Sequence, residues 1–452
     1  MKRLLAFWIV LGWLGCLGFG FYACSQDGTV SSETTSGQET GTASDGGTSG
    51  SEDNNPDTAT SQEAVVEAAP PEKEVVLPTL SNPKMLEPGK GITKIQIQPA
   101  VALGTDGKLG LVWTGSDQSK SLNIYFSVVD FEGKTSTPER IDSFPGGLKN
   151  EPSVCALKGG GYVAVWSVDT QVQGTKEGNL QVRFRRMDAA GKPLDKEAVQ
   201  VKTGVVGNHW LSDVACGGDG GFVFTGVRVD TDNKTFGVFV QRFDSEGKAI
   251  AEASYVNPEP EGTQVHPEVA ASTAGAFVVA YDDSLNNNEQ VVFRLYPESG
   301  KAPNPLVVVE KGTGSLAVKG AVVAMQPDTG AFLVGALRGN GSAPILKQYK
   351  ADGTSPESLS ISGSGLTVQL AVEALAPHQA WGVASLHRAG STSTLKLTLL
   401  GTADATAPSA SLASGSLPAY RPALTYRNGN LVVAWTERGA NSSFFVKLAW
   451  YR

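Results

Sequence analysis

The chain is short of the residues that most enzyme chemistry uses. Four histidines, His209, His266, His378 and His387, are the whole supply in 452 residues. That is too sparse for a three-His metal centre. Four cysteines occur without a Cys-x-x-Cys pair, which excludes a zinc ribbon or a thioredoxin-type redox motif. There is no Gly-x-Ser-x-Gly elbow, no phosphate loop and no His-Glu-x-x-His, so the commonest hydrolase, nucleotide and zinc-protease sites are absent. Charged residues make up 18%, below the usual quarter or so. Residues 84–452 hold 34 basic and 34 acidic side chains. A neutral body has no electrostatic hold on nucleic acid or on an anionic membrane. No metal and no cofactor are expected, and the expected state is a monomer.

What is present begins with an address. Lys2 and Arg3 precede a run from Leu4 to Ala23 that carries no charge, the pattern of a secretory signal. The run ends at Phe21-Tyr22-Ala23-Cys24-Ser25, and the chain beyond is hydrophilic. A small residue directly before a Cys resembles the lipobox of bacterial lipoproteins, although Phe21 and Tyr22 are bulkier than that box usually carries. The resemblance implies cleavage before Cys24, lipidation of its sulfur and anchoring outside the cytoplasm. Two acyl chains meet the two-signal requirement for stable attachment. Cys16 competes, but cleavage there would leave Leu17 to Tyr22 greasy at the mature terminus. Ser25 rather than Asp after the Cys resembles the pattern exported to an outer membrane, where the cell has one. An uncleaved anchor or plain secretion are the other readings of this run.

Residues 25–80 read as a tether. Between 25 and 83 there are eleven carboxylates and one Lys, Lys73, so the net charge of −8 originates here. Ser25 to Gln62 has almost nothing to bury and cannot offset its ordering entropy. The expected domains are therefore a signal peptide over 1–24, a disordered linker over 25–80 and a folded body over 81–452.

The body repeats. Apolar second-strand runs end at 113, 166, 226, 281, 336, 385 and 435, with spacings of 53, 60, 55, 55, 49 and 50. The first-strand start recurs at Pro99, Pro152, Ser212, Pro267, Ala321, Leu370 and Pro422. A turn after the third strand recurs as Gly133-Lys134, Gly191-Lys192, Gly247-Lys248, Gly300-Lys301 and Asp352-Gly353. A period near 50 with short strands points to propeller blades. Runs such as Gly161-Tyr162-Val163-Ala164-Val165-Trp166 are apolar on both faces, which suits a blade covered by two neighbours. The expected fold is all-β, a seven-bladed β-propeller of four-stranded blades. The seventh unit lacks a fourth strand, and the segment Lys84 to Glu87 is spare. Inserting that segment into the last blade would close the ring and remove two open edges.

These Pro-x-Val-Ala and Gly-Gly-aromatic-Val-Val-x-Trp units resemble those of uncharacterised bacterial surface lipoproteins with an extracytoplasmic propeller. The likeness covers about 98–452 and departs at Gly226 and Ala336, where the aromatic is replaced. It is specific for architecture and weak for function.

Candidate chemistry follows from the register. The residues just before the first-strand starts are Gln98, Glu151, Leu211, His266, Gly320, Gln369 and Arg421, expected to ring the mouth of the central channel. One position inside the starts, Asp213 and Glu268 are equivalent on neighbouring strands, and paired carboxylates are what glycoside chemistry needs. They are the catalytic candidates. Glu151, His209, Trp210, His266 and Arg421 are the binding candidates. The run Asp282-Asp283-Ser284-Leu285-Asn286-Asn287-Asn288-Glu289 is oxygen-rich but lacks the Gly and Glu positions of an EF-hand, and reads as a solvated loop.

Two functions are open. One is a membrane-anchored module that binds protein or glycan through its loop face. The alternative is a secreted polysaccharide hydrolase or lyase with its carboxylates at the channel mouth. Cys155 and Cys216 lie on the first strands of the second and third blades, offset by one position. One step along a strand reverses the face, and adjacent blades present opposite faces to each other. The two thiols therefore either converge or diverge; as the only cysteines of the mature chain besides Cys24, in a compartment where disulfides persist, they are expected to form a Cys155–Cys216 disulfide, the alternative being two buried free thiols.

Overall fold

The computed structural model describes residues 78–452, apart from 90–94, 117–120, 144–146, 171–179, 203–207, 230–235, 258–261, 286–287, 299–301, 342, 363–364, 402–406, 419, 440 and 442. The expected signal and lipidation segment, and nearly all of the proposed tether, lie outside the described residues.

The body is a ring of seven antiparallel blades, with single parallel pairings joining blade 3 to blade 4 and blade 7 to blade 1. Their first strands are Ile95–Leu103, Leu148–Ala156, Asn208–Cys216, Thr263–Ala271, Val318–Met325, Leu366–Leu375 and Ala423–Arg427. Each packs against the first strand of the next blade, and the seventh packs against the first. Second and third strands follow as antiparallel neighbours. The fourth strands are mostly short, such as Glu139–Arg140 and Val199–Gln200, which keeps the outer edges blunt.

Closure occurs where the spare segment suggested it. Lys84–Leu86 runs antiparallel to Phe444–Tyr451, with Lys84 opposite Trp450, Met85 opposite Ala449 and Leu86 opposite Leu448. The fourth strand of blade 7 therefore comes from the N-terminal side of blade 1. Lys84 lies over the ring of Phe131 at 5.1 Å, and Lys447 pairs with Glu87.

Each of the seven seams between blades has its own apolar cluster. The aromatic that ends the apolar run within a second strand enters the seam with the preceding blade: Trp113 toward blade 7, Trp166 toward blade 1, Tyr281 toward blade 3 and Trp435 toward blade 6. Trp113 and Trp166 are fully buried, and truncating such a residue to Ala costs about 3–5 kcal/mol. Blade 3 has Gly226 instead. Phe239 stands opposite it on the third strand, and its ring edge comes within 3.1 Å of where a Gly226 side chain would start. The neighbouring strand fills the space that the missing aromatic leaves.

Every seam also carries a hydrogen bond. In ring order the donor and acceptor pairs are Glu151 N to Gln98 Oε1 (3.2 Å), Ser153 Oγ to Asp213 Oδ1 (2.5 Å), Val269 N to Asp213 Oδ2 (2.9 Å) and Ala321 N to Asp282 Oδ1 (2.9 Å). Gln326 Nε2 to Ala380 O (2.8 Å), Tyr426 N to Glu373 Oε1 (3.2 Å) and Leu103 N to Thr425 Oγ1 (3.2 Å) complete the circuit. Cys155 and Cys216 form a disulfide across the second seam, with Cα atoms 5.5 Å apart. The one-position offset between them brings the two thiols together rather than apart. Between blades 1 and 2, Lys149 and Asp142 make a fully buried ion pair at 3.2 Å.

The turns after the third strands repeat a device of their own. Asp188 Oδ1 accepts from the N–H groups of Ala190 and Lys192, and Asp244 Oδ1 from those of Glu246 and Lys248. Gly191 and Gly247 supply the left-handed step at φ 83° and 79°. Acidic side chains cap the turn and glycine makes it possible.

Candidate functional site

In blades 1 to 6 the first strands begin three or four residues earlier than the Pro-x-Val-Ala pattern suggests, while that of blade 7 begins at Ala423, one residue after Pro422. In blades 1 to 5 the ladder breaks at Ile97/Ala100, Asn150/Ser153, Trp210/Asp213, Val265/Glu268 and Lys319/Val322. Each break is a β-bulge, and the residues expected to ring the mouth sit in these bulges. Gln98, Glu151, Leu211, His266 and Gly320 all adopt positive φ, between 49° and 71°. For the four non-glycine residues that backbone costs about 1–2 kcal/mol each, sustained by the seams around it. At about 3.3 Å per residue, three residues place the bulges roughly 10 Å down from the strand ends. In blades 1 to 5 these residues therefore stand within the first strands rather than just before them, while Arg421 of blade 7 does precede its strand.

Five candidates meet in one layer. Arg421, just before the first strand of blade 7, pairs with Glu268 of blade 4 and donates to the Ala321 carbonyl of blade 5 at 3.3 Å. Blade 7 lies opposite blades 3 and 4 in a seven-membered ring, so this side chain crosses the axis. Its charge also acts on Asp213 of blade 3 and Glu151 of blade 2. His266 of blade 4 faces Glu151 and Arg421, and its Nδ1 lies 3.0 Å from Asp282 Oδ2.

The surroundings set different proton affinities. Burial pushes the Glu151 carboxyl up to about 7, against the opposing charges of His266 and Arg421. Burial also raises Asp213, while bonds from Ser153, Val269 and Val214 and the charge of Arg421 pull it back. Burial alone would lower His266; the bond and charge of Asp282, with the charge of Glu151, more than reverse it. The layer therefore combines a carboxyl poised at neutrality, a raised imidazole and an ion-paired carboxylate. Groups so divided can donate, accept and exchange protons at one place.

Two further candidates lie on the first strand of blade 3, Asn208–Cys216. His209 is 7% exposed, with its ring edge-on to Phe239 inside blade 3. Trp210 is half-buried, and its indole N–H has no hydrogen-bond partner among the described residues.

Asp282 and Asp283 overturn the solvated-loop reading of their run. Both lie in the strand Phe277–Leu285 and are buried. Asp283 accepts from Gln264 at 2.9 Å and Gln290 at 2.8 Å. Asp282 accepts from Gly320 N at 3.0 Å and Ala321 N at 2.9 Å. N–H donors fill these oxygens, which is not a cation's cradle. Among the described residues no three His, Cys, Asp or Glu side chains form a metal-holding group.

No protein-family model matches the sequence, and no curated protein matches it either. Solved structures do resemble the fold. Polysaccharide lyase Uly1 aligns with TM-score 0.51 and 9% identity, over 79% of this chain and 90% of its own. A protein of unknown function from Dyadobacter fermentans DSM 18053 aligns with TM-score 0.48 and 12% identity, over 83% and 97%. The NanB sialidase from Streptococcus pneumoniae gives TM-score 0.43 and 13% identity, over 79% and 68%. At these identities the likeness is one of fold, and the fold of this chain is a β-propeller.

Proposed function

We propose that this chain is a lipid-anchored extracytoplasmic protein whose propeller binds a glycan end in the axial layer. The observation that carries the binding reading is the convergence of Glu151, Asp213, His266, Glu268 and Arg421, drawn from four blades. Fixed acceptors and a guanidinium side by side suit vicinal hydroxyls, which donate and accept at once. The anchoring reading rests on the uncharged run that ends at Ala23-Cys24.

Two experiments test it. An oligosaccharide panel against the purified protein is expected to yield a ligand whose affinity falls at least about tenfold, near 1.4 kcal/mol, in Glu268→Ala. Lys192→Ala, in a turn after a third strand, is expected to leave that affinity unchanged. Binding lost equally in both, or no ligand at all, would count against the reading. Cys24→Ser is expected to release the protein from membranes or block its processing. A variant processed and sedimented like wild type would remove the anchor.

A second reading is glycan cleavage by a hydrolase or lyase. The observation in its favour is Glu151, held near neutrality in the range of a general acid, beside His266;. Release of new chain ends from the bound oligosaccharide, abolished by Glu151→Gln, would separate cleavage from binding.

A further inference from the structure

His266 Nδ1 and Asp282 Oδ2 lie 3.0 Å apart. The same Oδ2 accepts from Gly320 N, and Oδ1 accepts from Ala321 N. Both oxygens of Asp282 are thus engaged by donors fixed in the backbone of blade 5. A carboxylate accepts and does not donate, so the proton on the line to His266 belongs to Nδ1. A neutral imidazole carries one N–H, which leaves Nε2 bare.

We propose that Asp282 is the positioning residue of the axial site, locking His266 in the tautomer that offers Nε2 as a proton acceptor. Exposure agrees with this division. The Asp282 side chain is 11% exposed and that of His266 is 45% exposed, so one is buried in the seam and the other is open to solvent. The anchoring is tertiary: Asp282 is on the second strand of blade 4, while its backbone donors are at the bulge of blade 5. The orientation of His266 is therefore tied to the seam between two blades. Toward a glycan, a bare Nε2 receives the proton of a ligand hydroxyl. That role rests on the binding reading above; the tautomer does not.

The charged groups that face His266 are Asp282 from its own blade, Glu151 from blade 2 and Arg421 from blade 7. Asp282 and Glu151 favour the imidazolium and Arg421 opposes it. Protonation turns Nε2 from acceptor to donor, so the hydrogen bond offered to a ligand reverses as His266 titrates.

Side-chain nitrogen NMR of the full chain tests the assignment. Only four histidines need resolving, and His266→Gln identifies the signal. The wild-type neutral form is expected with the proton on Nδ1. In Asp282→Asn an amide donor can face Nδ1, so the proton is expected to move to Nε2. The His266 titration is then expected to fall by about one pH unit, a tenfold loss of proton affinity. A wild-type imidazole protonated on Nε2 would overturn the proposal. So would a folded Asp282→Asn whose tautomer and titration match wild type. Should that variant not fold, the wild-type tautomer alone decides. A panel that yields no glycan would remove the binding reading and leave the tautomer result standing.

Discussion

Arg421 of blade 7 pairs with Glu268 of blade 4, and even the shorter way round the ring between them passes two intervening blades. The pair is a strut across the axis. Arg421 is more exposed than Glu268, at 39% against 17% for the side chains, so solvent screens part of its worth. Arg421→Ala leaves a half-buried carboxylate without its cation and is expected to destabilise by about 1–3 kcal/mol. Glu268→Gln in the same background should recover part of that loss. Chemical denaturation of the two single variants and the double variant measures the coupling; purely additive effects would mean that the strut is not formed.

Glu373 gives a pH dependence. Burial in the seam between blades 6 and 7 pushes its carboxyl up to about 8, partly offset by the bond from Tyr426 N. The folded state thus keeps a proton that an unfolded carboxyl releases near 4.5. Stability from this group is complete below that pH and is lost as pH rises through about 8. Glu151 has the same sign with its upper limit near 7. Glu373→Gln is expected to flatten the fall in melting temperature between pH 5 and 9 and to exceed wild type at the alkaline end. An unchanged profile would contradict the seam assignment.

The disulfide is expected to be a staple. Cys155 and Cys216 are 61 residues apart, and closing such a loop contributes roughly 4 kcal/mol by chain entropy, less any strain. Cys155→Ala with Cys216→Ala should lower the melting temperature by many degrees. Thiol labelling of the denatured, unreduced protein, read residue by residue, should find neither Cys155 nor Cys216 reactive, and labelling of both would refute the bond.

Closure predicts a contrast between two deletions. Removing residues 26–78 should leave the melting temperature nearly unchanged. Removing 26–89 also takes away Lys84–Leu86, baring the edge of Phe444–Tyr451. An open edge next to Trp450 and Tyr451 is expected to aggregate. Equal behaviour of the two deletions would mean that the strand does not hold the ring shut.

How far the sequence is legible depends on which interactions are local. The blades were readable because runs such as Tyr162 to Trp166 are apolar on both faces, and the spare Lys84 to Glu87 because blade 7 was one strand short. The strand starts were not. Pro99, Pro152 and Pro267 look like beginnings, yet each follows a left-handed residue within a bulge. A bulge is where a missing N–H costs no ladder bond. Asp213 and Glu268 were found because register alone makes them equivalent. Asp282 was missed because two acids in a polar run look solvated, and its donors are backbone groups of another blade, 38 and 39 residues away. Period and composition carry no signal for that contact.

The most direct test of the account is a hydrogen-exchange footprint with the tightest oligosaccharide of the panel. Protection is expected in the first strands of blades 2 to 4, around Glu151, Asp213, His266 and Glu268, and beside Arg421. No change is expected in the turns at Gly191-Lys192 and Gly247-Lys248. Protection centred on those turns or on the outer strands, with the axial layer unaffected, would contradict the claim that these five side chains form the site.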